Sequence, residues 1–396
     1  MNVTIIPFHD WRKNEKEGFR TRDAHFIKAL MTSHEVDKLL IVNRPTTFLE
    51  LLYKKHSKKL NGKLIHIKGN FSLYEVANNT YVVDWISNDI FNQVLRKQKW
   101  FINVYNRASY SNFIKECWEF LNFTSPTLLS QNIFSYKLTC SLPANRKVFD
   151  AWDNFLKFPA YNSINNDLKA GYRSLSKESI PWVTNSLENI AFFKANFNVR
   201  KISLLKNGVN TNFVKQEKGQ PTELDKIKRP IIGFGGKISY LLNVDLINFL
   251  TKDNPQCSFV FVGQILDSKV YDSIKKLKNV FFLGDKHYDD YPDFVLNFDV
   301  CIIPYNVGEK QHGGDSIKAY EYLATGKKVV GTYGNGLEDL EDFIYLCDTP
   351  EAFSEELKSI ENHKPKLNIS DYSWAKKSKH LIDILSGRHT ENDIEI

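Results

Sequence analysis

In this 396-residue chain, a glycine-bearing turn and a long polar loop, each following an apolar run, hold the residues best suited to chemistry. The turn is Gly233-Phe234-Gly235-Gly236-Lys237, directly after Ile231–Phe234. Glycines there let backbone N–H groups approach a phosphate, and Lys237 adds a positive charge. The segment is not a GxGxxG fingerprint, the chain has no Walker GxxxxGK[ST], and the same glycines also suit an ordinary turn. The loop runs from Pro304 to Ser316 through Gly308, Glu309, His312, Gly313 and Gly314. It feeds a helix that Asp315 or Ser316 can cap. Within that helix Glu321 stands among Ala319, Tyr320, Tyr322 and Leu323. A carboxylate on such a face needs a hydrogen-bond partner, which a ribose diol would supply and Lys318, three residues earlier, would also supply.

The elements that must carry these residues alternate in type. In the first half Val3–Pro7, Leu39–Val42, Leu64–Ile67, Tyr81–Asp84, Trp100–Tyr105 and Thr127–Gln131 read as strands. Their short apolar runs suit parallel strands covered on both faces. Lys147–Phe149 and Trp182–Thr184 are later strands, and Ser186–Phe197 is a helix. The second half reads as strands at Ile231–Phe234, Ser258–Val262, Val280–Leu283, Val300–Pro304, Lys328–Gly331 and Phe343–Leu346. Helices at Val244–Leu250, Val270–Leu277, Tyr288–Asn297 and Ile317–Thr325 separate them. Alternation of this kind predicts doubly wound parallel sheets of α/β class. The polar stretch 215–229, with Gly219 and Pro221, is the predicted linker between domain 1–214 and domain 230–370. The last helix, Tyr372–Leu385, begins a segment (371–396) predicted to pack back on the first domain. Two such sheets facing one another would form a cleft lined by strand-end loops.

Composition narrows the class. The length suits two domains, and 42% hydrophobic residues with a net charge of +7 exclude a disordered chain. The five cysteines are scattered with no CxxC pair, so neither a disulfide framework nor a zinc site is expected, and a reducing cytoplasm is. No apolar run approaches the ~18 residues that span a bilayer, and Met1–Phe8 does not read as a signal peptide. Residues 1–214 carry 30 Lys and Arg against 17 Asp and Glu, leaving +13 there and −6 in the remainder. A basic half predicts either a solvated lysine surface or contact with a polyanion or an anionic membrane face. The mixture of basic and aromatic residues over Leu95–Phe123 fits a membrane interface, and equally an ordinary aromatic core. No recognition-helix motif accompanies the charge, so nucleic acid is not an expected partner.

Several segments together resemble one family. Lys318-Ala319-Tyr320-Glu321-Tyr322-Leu323-Ala324-Thr325-Gly326-Lys327-Lys328-Val329-Val330, after strand Phe298–Pro304, is similar to the signature of GT-B glycosyltransferases of the group 1 type. The resemblance is to bacterial enzymes of surface-polysaccharide assembly, the teichuronic-acid type included. Asn207-Gly208-Val209-Asn210, Val183-Thr184-Asn185-Ser186 and Asn279-Val280-Phe281-Phe282-Leu283-Gly284 resemble further family segments in order. Arg20-Thr21-Arg22-Asp23-Ala24-His25-Phe26 and Phe149-Asp150-Ala151-Trp152-Asp153 resemble segments of one subgroup.

The resemblance implies two facing Rossmann-like domains, with a nucleotide-diphosphate sugar on the second and an acceptor on the first. Glu321 would hold the ribose, and Gly314, Ser316 and Ile317 at a helix N-terminus would hold diphosphate or sugar. Gly235, Gly236 and Lys237 would line the phosphate side, and Lys318 would stabilise the departing diphosphate. The family's acidic residue eight positions before the ribose glutamate is Gly313 here, so Asp315 or Glu309 would substitute, with His312 a sugar contact. The family's second basic residue falls on Leu242. Arg20, Arg22, His25 and Asp150 are the acceptor-side candidates with His9 and Asp10, and Asp153 joins Asp315 and Lys318 as a catalytic candidate. The implied reaction is retaining and needs no metal or other cofactor: Asp289-Asp290 reads as the start of a helix, not as a DxD metal pair. The acceptor would be a glycan or a polyprenyl-linked glycan, reached by a cytoplasmic protein in peripheral contact with the inner membrane face. A nucleotide-sugar epimerase on the same fold, or a protein that binds without turnover, are the alternatives.

Overall fold

The computed structural model describes residues 1–214, 219–308 and 314–388. The chain divides into two compact units, one holding residues 1–206 and the chain from 377 onward, the other residues 207–376.

The first unit is built on strands β1 (Asn2–Ile6), β2 (Lys38–Val42), β3 (Thr46–Thr47), β4 (Lys63–Lys68), β5 (Phe71–Ala77), β6 (Thr80–Ser87), β7 (Thr127–Ser130), β8 (Arg146–Asp150), β9 (Trp182–Thr184) and β10 (Ile202–Leu204). They form one sheet in the order β10-β9-β8-β7-β1-β2-β6-β5-β4, with β3 against β6. From β10 to β6 every pairing is parallel. The helices are α1 (Trp11–Glu17), α2 (Arg22–Thr32), α3 (Phe48–Tyr53), α4 (Ile90–Arg96), α5 (Gln98–Tyr105), α6 (Ala108–Phe120), α7 (Tyr136–Ser141), α8 (Asn165–Lys177) and α9 (Leu187–Phe197).

Two expectations for this half are corrected. The sheet is not wholly parallel, because β4, β5 and β6 form an antiparallel meander at one edge. Two-residue turns make it: Gly69 and Asn79, with φ of 58° and 54°, take the left-handed backbone such turns need. Edge strand β4 is largely exposed rather than buried. The run 100–105 is helix α5, not a strand. Trp100, Ile102 and Val104 alternate as in a strand, but Tyr105 is buried as well. Trp100 and Val104 lie on one side of this helix and Ile102 and Tyr105 on the other, and all four enter the core. Trp100, Tyr105, Tyr110, Phe113 and Trp118 are all core residues, so the aromatic stretch 95–123 chiefly builds the interior.

The second unit contains β11 (Ile231–Gly235), β12 (Ser258–Val262), β13 (Val280–Phe282), β14 (Val300–Ile303), β15 (Lys328–Thr332) and β16 (Tyr345–Cys347). The order is β13-β12-β11-β14-β15-β16, with every pairing parallel. Counted from its own first strand this is 3-2-1-4-5-6, the doubly wound order in which a crevice opens where the winding reverses. The reversal falls between β11 and β14. Helices α10 (Val244–Asp253), α11 (Ser268–Ser273), α12 (Tyr291–Asn297), α13 (Ile317–Ala324) and α14 (Pro350–Glu356) connect or flank the strands, and α15 (Trp374–Ser386) follows. Asp289 and Asp290 precede α12, which starts at Tyr291. The apolar faces of β11, β12 and β14 are almost completely buried and form the centre of this core.

Candidate functional site

In the second unit the turn after β11 and the start of α13 come together at the winding reversal. The expected use of the glycine amides is corrected here. Strand β11 continues through Gly235, whose N–H donates to the Tyr322 hydroxyl at 2.6 Å, while the Gly236 N–H donates to the Val262 carbonyl at 2.8 Å. Neither amide is offered to a phosphate. What the glycines provide is room. A Cβ on Gly235 would collide with the Tyr291 hydroxyl, and one on Gly236 would lie 2.7 Å from Lys318 Cε. Gly236 also has φ of 155°, outside the range an L side chain adopts comfortably. The missing side chain therefore lets Lys318 lie against the backbone of the turn. Its ammonium donates to the Tyr305 hydroxyl and sits over the Tyr305 and Phe234 rings, at 5.1 and 5.8 Å. Lys237, the next residue of the turn, is half-buried.

At the N-terminus of α13, Gly314, Asp315 and Ser316 are buried. Asp315 is a brace: one carboxylate oxygen accepts the Asn207 amide at 2.7 Å, and the other accepts the Tyr320 hydroxyl at 2.8 Å. Its carbonyl accepts from Asn207 Nδ2 at 2.8 Å. Burial, then the Asp315 charge, hold the Tyr320 hydroxyl well above its ordinary range, so it stays a donor. The Ser316 hydroxyl is buried and finds no hydrogen-bond partner among the described residues. A buried hydroxyl left over at a helix N-terminus suits an anionic ligand. Ile317 is half-buried in the first turn.

Glu321 lies one turn further on, 4% exposed. The Tyr288 hydroxyl donates to its Oε1 at 2.7 Å. Burial, followed by the Glu321 charge, raises the Tyr288 phenol well above its ordinary range, so it stays a donor. Tyr288, Tyr322 and Asn207 were not among the residues the sequence singled out for chemistry. Asn207 and Tyr322 stood within quoted motifs, but Tyr288 had no local signal of its own. Leu242, where the family has a base, is 2% exposed and bridges to Tyr305. His312, Gly313 and Glu309 lie outside the described residues.

In the first unit the corresponding reversal lies at β1, between β7 and β2, and the acceptor-side candidates gather at its strand ends. His9 Nδ1 lies 3.0 Å from both oxygens of Asp23, and the backbone amides of Phe8 and His9 donate to the same carboxylate at 3.1 and 2.8 Å. Burial alone would raise the Asp23 carboxyl. The charge and hydrogen bonds of His9, with the Thr21 hydroxyl, overcome it and hold the carboxyl far below the usual range. Arg22 pairs with Asp150 through Nε at 3.0 Å and Nη2 at 3.2 Å, and Gln131 donates to the same carboxylate at 2.8 Å. Trp152, at the end of β8, is tied by its indole N–H to the Gln131 carbonyl and lies 6.2 Å from the His9 ring. Arg22, Asp150 and the His9–Asp23 pair thus share one strand-end region. His25 is buried in α2, where burial and then Lys28 push its pKa down to about 3, so it is a neutral ring. Arg20 pairs with Glu17 at 2.9 Å. Asp10 caps α1 and meets Asn43, and Arg12 beside it pairs with Asp84 at 3.0 and 2.7 Å. Asp153 is half-buried in the turn after β8.

Among the described residues no group of three His, Cys, Asp or Glu side chains is placed to hold a metal ion. No helix among them is long and apolar enough to cross a membrane.

Residues 231–363, nearly the whole of the second sheet and its helices, match the model of the family described as glycosyl transferases group 1. The second unit is thus similar to group 1 glycosyltransferases over most of its length, and the chain has the paired Rossmann-like, or GT-B, fold. Over 136 residues the chain is 27% identical to the putative teichuronic acid biosynthesis glycosyltransferase TuaH of Bacillus subtilis (strain 168). That match covers 33% of this chain and spans about a third (34%) of that relative's length. Among solved structures, the chain is similar to an α,α-trehalose-phosphate synthase (UDP-forming) from Burkholderia xenovorans in complex with glucose-6-phosphate. The TM-score is 0.67 and identity 10%, covering 98% of this chain and 100% of that one. The trehalose-6-phosphate synthase of E. coli bound with UDP-2-fluoro glucose gives 0.62 and 9%, over 98% and 96%. At such identities the structural likeness speaks for the fold.

Proposed function

We propose that the protein transfers a sugar from a nucleotide-diphosphate sugar to a glycan or polyprenyl-linked glycan in cell-surface polysaccharide synthesis. The observation that carries the reading is the grouping at the β11/β14 reversal. Buried Glu321 is oriented by Tyr288, one turn from an unpartnered Ser316 hydroxyl and from Lys318 against Gly236. In this reading Glu321 takes the ribose hydroxyls, and the first turn of α13 takes the diphosphate. Lys318, with Lys237 nearby, offsets the negative charge that grows on the diphosphate as the bond to the sugar breaks. Asp315 positions α13 and the Asn207 turn without touching substrate. The acceptor is bound by the first unit, at the strand ends that carry His9, Trp152 and the Arg22–Asp150 pair.

The resemblance to group 1 enzymes supports retention of the anomeric configuration. Lys318 in the first turn of α13, and Lys237 in the turn against which Lys318 lies, support charge neutralisation by the protein alone, without a metal. Location in the cytoplasm agrees with five scattered cysteines.

The first test is thermal shift with UDP, GDP, ADP and CDP on the wild type and on Glu321→Ala. At a hundred times its dissociation constant a ligand adds about 2.7 kcal/mol. One nucleoside diphosphate should stabilise the wild type and not the variant; no shift with any of them would remove the donor assignment. The anomeric proton of the product and activity in EDTA then decide stereochemistry and metal need.

A further inference from the structure

The exposed apolar surface of the first unit is concentrated on two short neighbouring helices. On α3 Leu49, Leu52 and Tyr53 are exposed, and on α4 Phe91, Val94 and Leu95 are; Tyr53 reaches 86% and Phe91 75%. Both triplets follow i, i+3, i+4 spacing, so each helix turns an apolar stripe toward solvent, the reverse of an ordinary surface helix. Helix α4 has no buried residue at all. The two helices are fastened to one another: the Gln93 amide donates to Glu50 at 2.6 Å, and the Thr47 hydroxyl donates to Gln93. Between them lies a groove of about 530 Å³ lined by Leu49, Tyr53, Val94 and Phe101 with Arg44 and Lys97 at its sides. A continuous apolar face of this kind on a folded domain marks an interaction surface.

The charge around it is predominantly positive; its acids are Glu50 and Asp89, the latter at the N-terminus of α4 and paired with Arg107. Residues 44–68 hold seven Lys and Arg and the single acid Glu50, and residues 90–107 hold four and no acid. Glu50 is already paired with Arg44 and with Lys54. Lys54, Lys55, Lys58, Lys59, Arg96 and Lys97 are exposed along the chain on either side of the apolar triplets.

We propose that α3 and α4 form a docking face for an anionic lipid surface. Their aromatic and aliphatic side chains enter the headgroup region, and the flanking lysines and arginines meet lipid phosphates. A second copy of this chain is the poorer occupant, because a symmetric contact would press two basic rims together. The surface would deliver the protein to a polyprenyl-linked acceptor and in that sense extends the transferase reading. It stands on surface geometry, however, and its test needs neither donor nor acceptor.

The test is co-sedimentation of the full chain with vesicles of phosphatidylcholine alone and of phosphatidylcholine mixed with phosphatidylglycerol. The wild type should bind the mixed vesicles, release them at high salt, and leave the neutral ones in solution. Phe91→Ser/Leu95→Ser and Lys58→Glu/Lys59→Glu should each weaken binding about tenfold or more with unchanged melting temperature, since all four positions are exposed. Glu321→Ala should bind as the wild type does, so loss of the donor assignment and loss of this one are read separately. Absence of binding to mixed vesicles, or full binding by both double variants, would overturn the proposal. So would a dimer in light scattering that Phe91→Ser/Leu95→Ser dissolves while vesicle binding is absent.

Discussion

The Tyr288 hydroxyl donates to Glu321 Oε1 at 2.7 Å inside the second unit, from a loop to a helix 33 residues later in the chain. That bond supplies a donor to one oxygen of a buried carboxylate.

Tyr288→Phe removes this donor from the buried Glu321 carboxyl and leaves the rest of its surroundings in place. A buried acceptor stripped of its partner costs about 1–3 kcal/mol, so urea denaturation should show a loss of that order. Stabilisation by the nucleoside diphosphate should shrink along with it. Unchanged stability would mean that Glu321 is satisfied without Tyr288.

Lys318→Gln removes an ammonium that lies over Tyr305 and Phe234 against the Gly236 turn. If that charge meets the leaving diphosphate, its effect is larger in the transition state than in the bound donor. Steady-state kinetics should then show kcat falling about 10²–10³-fold, as for loss of one preorganised stabilising donor, with a smaller rise in donor KM. A rise in KM alone would assign Lys318 to binding.

Arg22 and Asp150 are both buried and joined by two hydrogen bonds. Arg22→Met strands a buried carboxylate, and stability should fall by about 3–5 kcal/mol. Arg22→Met/Asp150→Asn should recover much of that, because the neutral amide needs no counter-charge. If acceptor turnover stays lost in the double variant after stability returns, the pair contacts substrate as well as holding α2 to β8.

Stability should begin to fall with acid well above the range in which Asp23 titrates. Burial holds His25 at a pKa of about 3 in the fold against 6.5 in the unfolded chain, so between these values the unfolded state binds more protons than the native one. The derivative of unfolding free energy with pH is then positive, reaching about 1.4 kcal/mol per pH unit. His25 stability is complete above 6.5 and is lost progressively as pH falls toward 3. His56, which burial also lowers, adds in the same sense. Asp23, depressed in the fold, adds its own loss only below its unfolded value of 3.8. Urea midpoints from pH 7 to pH 4 should therefore decline in the wild type and decline less steeply in His25→Gln, where His56 still contributes.

Much of this architecture is legible in the chain alone. The second sheet can be read strand by strand, because its strands are short apolar runs between turn residues and are buried on both faces. Positions 318–330, by composition and spacing together, point to a helix with one carboxylate on a buried face. The basic character of the first half is a matter of counting. Tertiary structure decided the rest. Whether Trp100–Val104 was strand or helix depended on Tyr105 entering the same core. The β5 hairpin hung on two left-handed turn residues, Gly69 and Asn79. Gly235 and Gly236 read as phosphate-binding amides until the β11 ladder and Tyr322 consumed their N–H groups, leaving them to make room for Tyr291 and Lys318. Tyr288 found Glu321, Asn207 found Asp315, and Asp23 found His9 across 33, 108 and 14 residues of chain. Local spacing fixes which face of an element is apolar, since periodicity is a property of neighbours in the chain. Which polar group answers a buried charge is settled only when the sheet order brings distant strand ends together, and the same step left two apolar stripes on α3 and α4 with no element of their own unit to cover them.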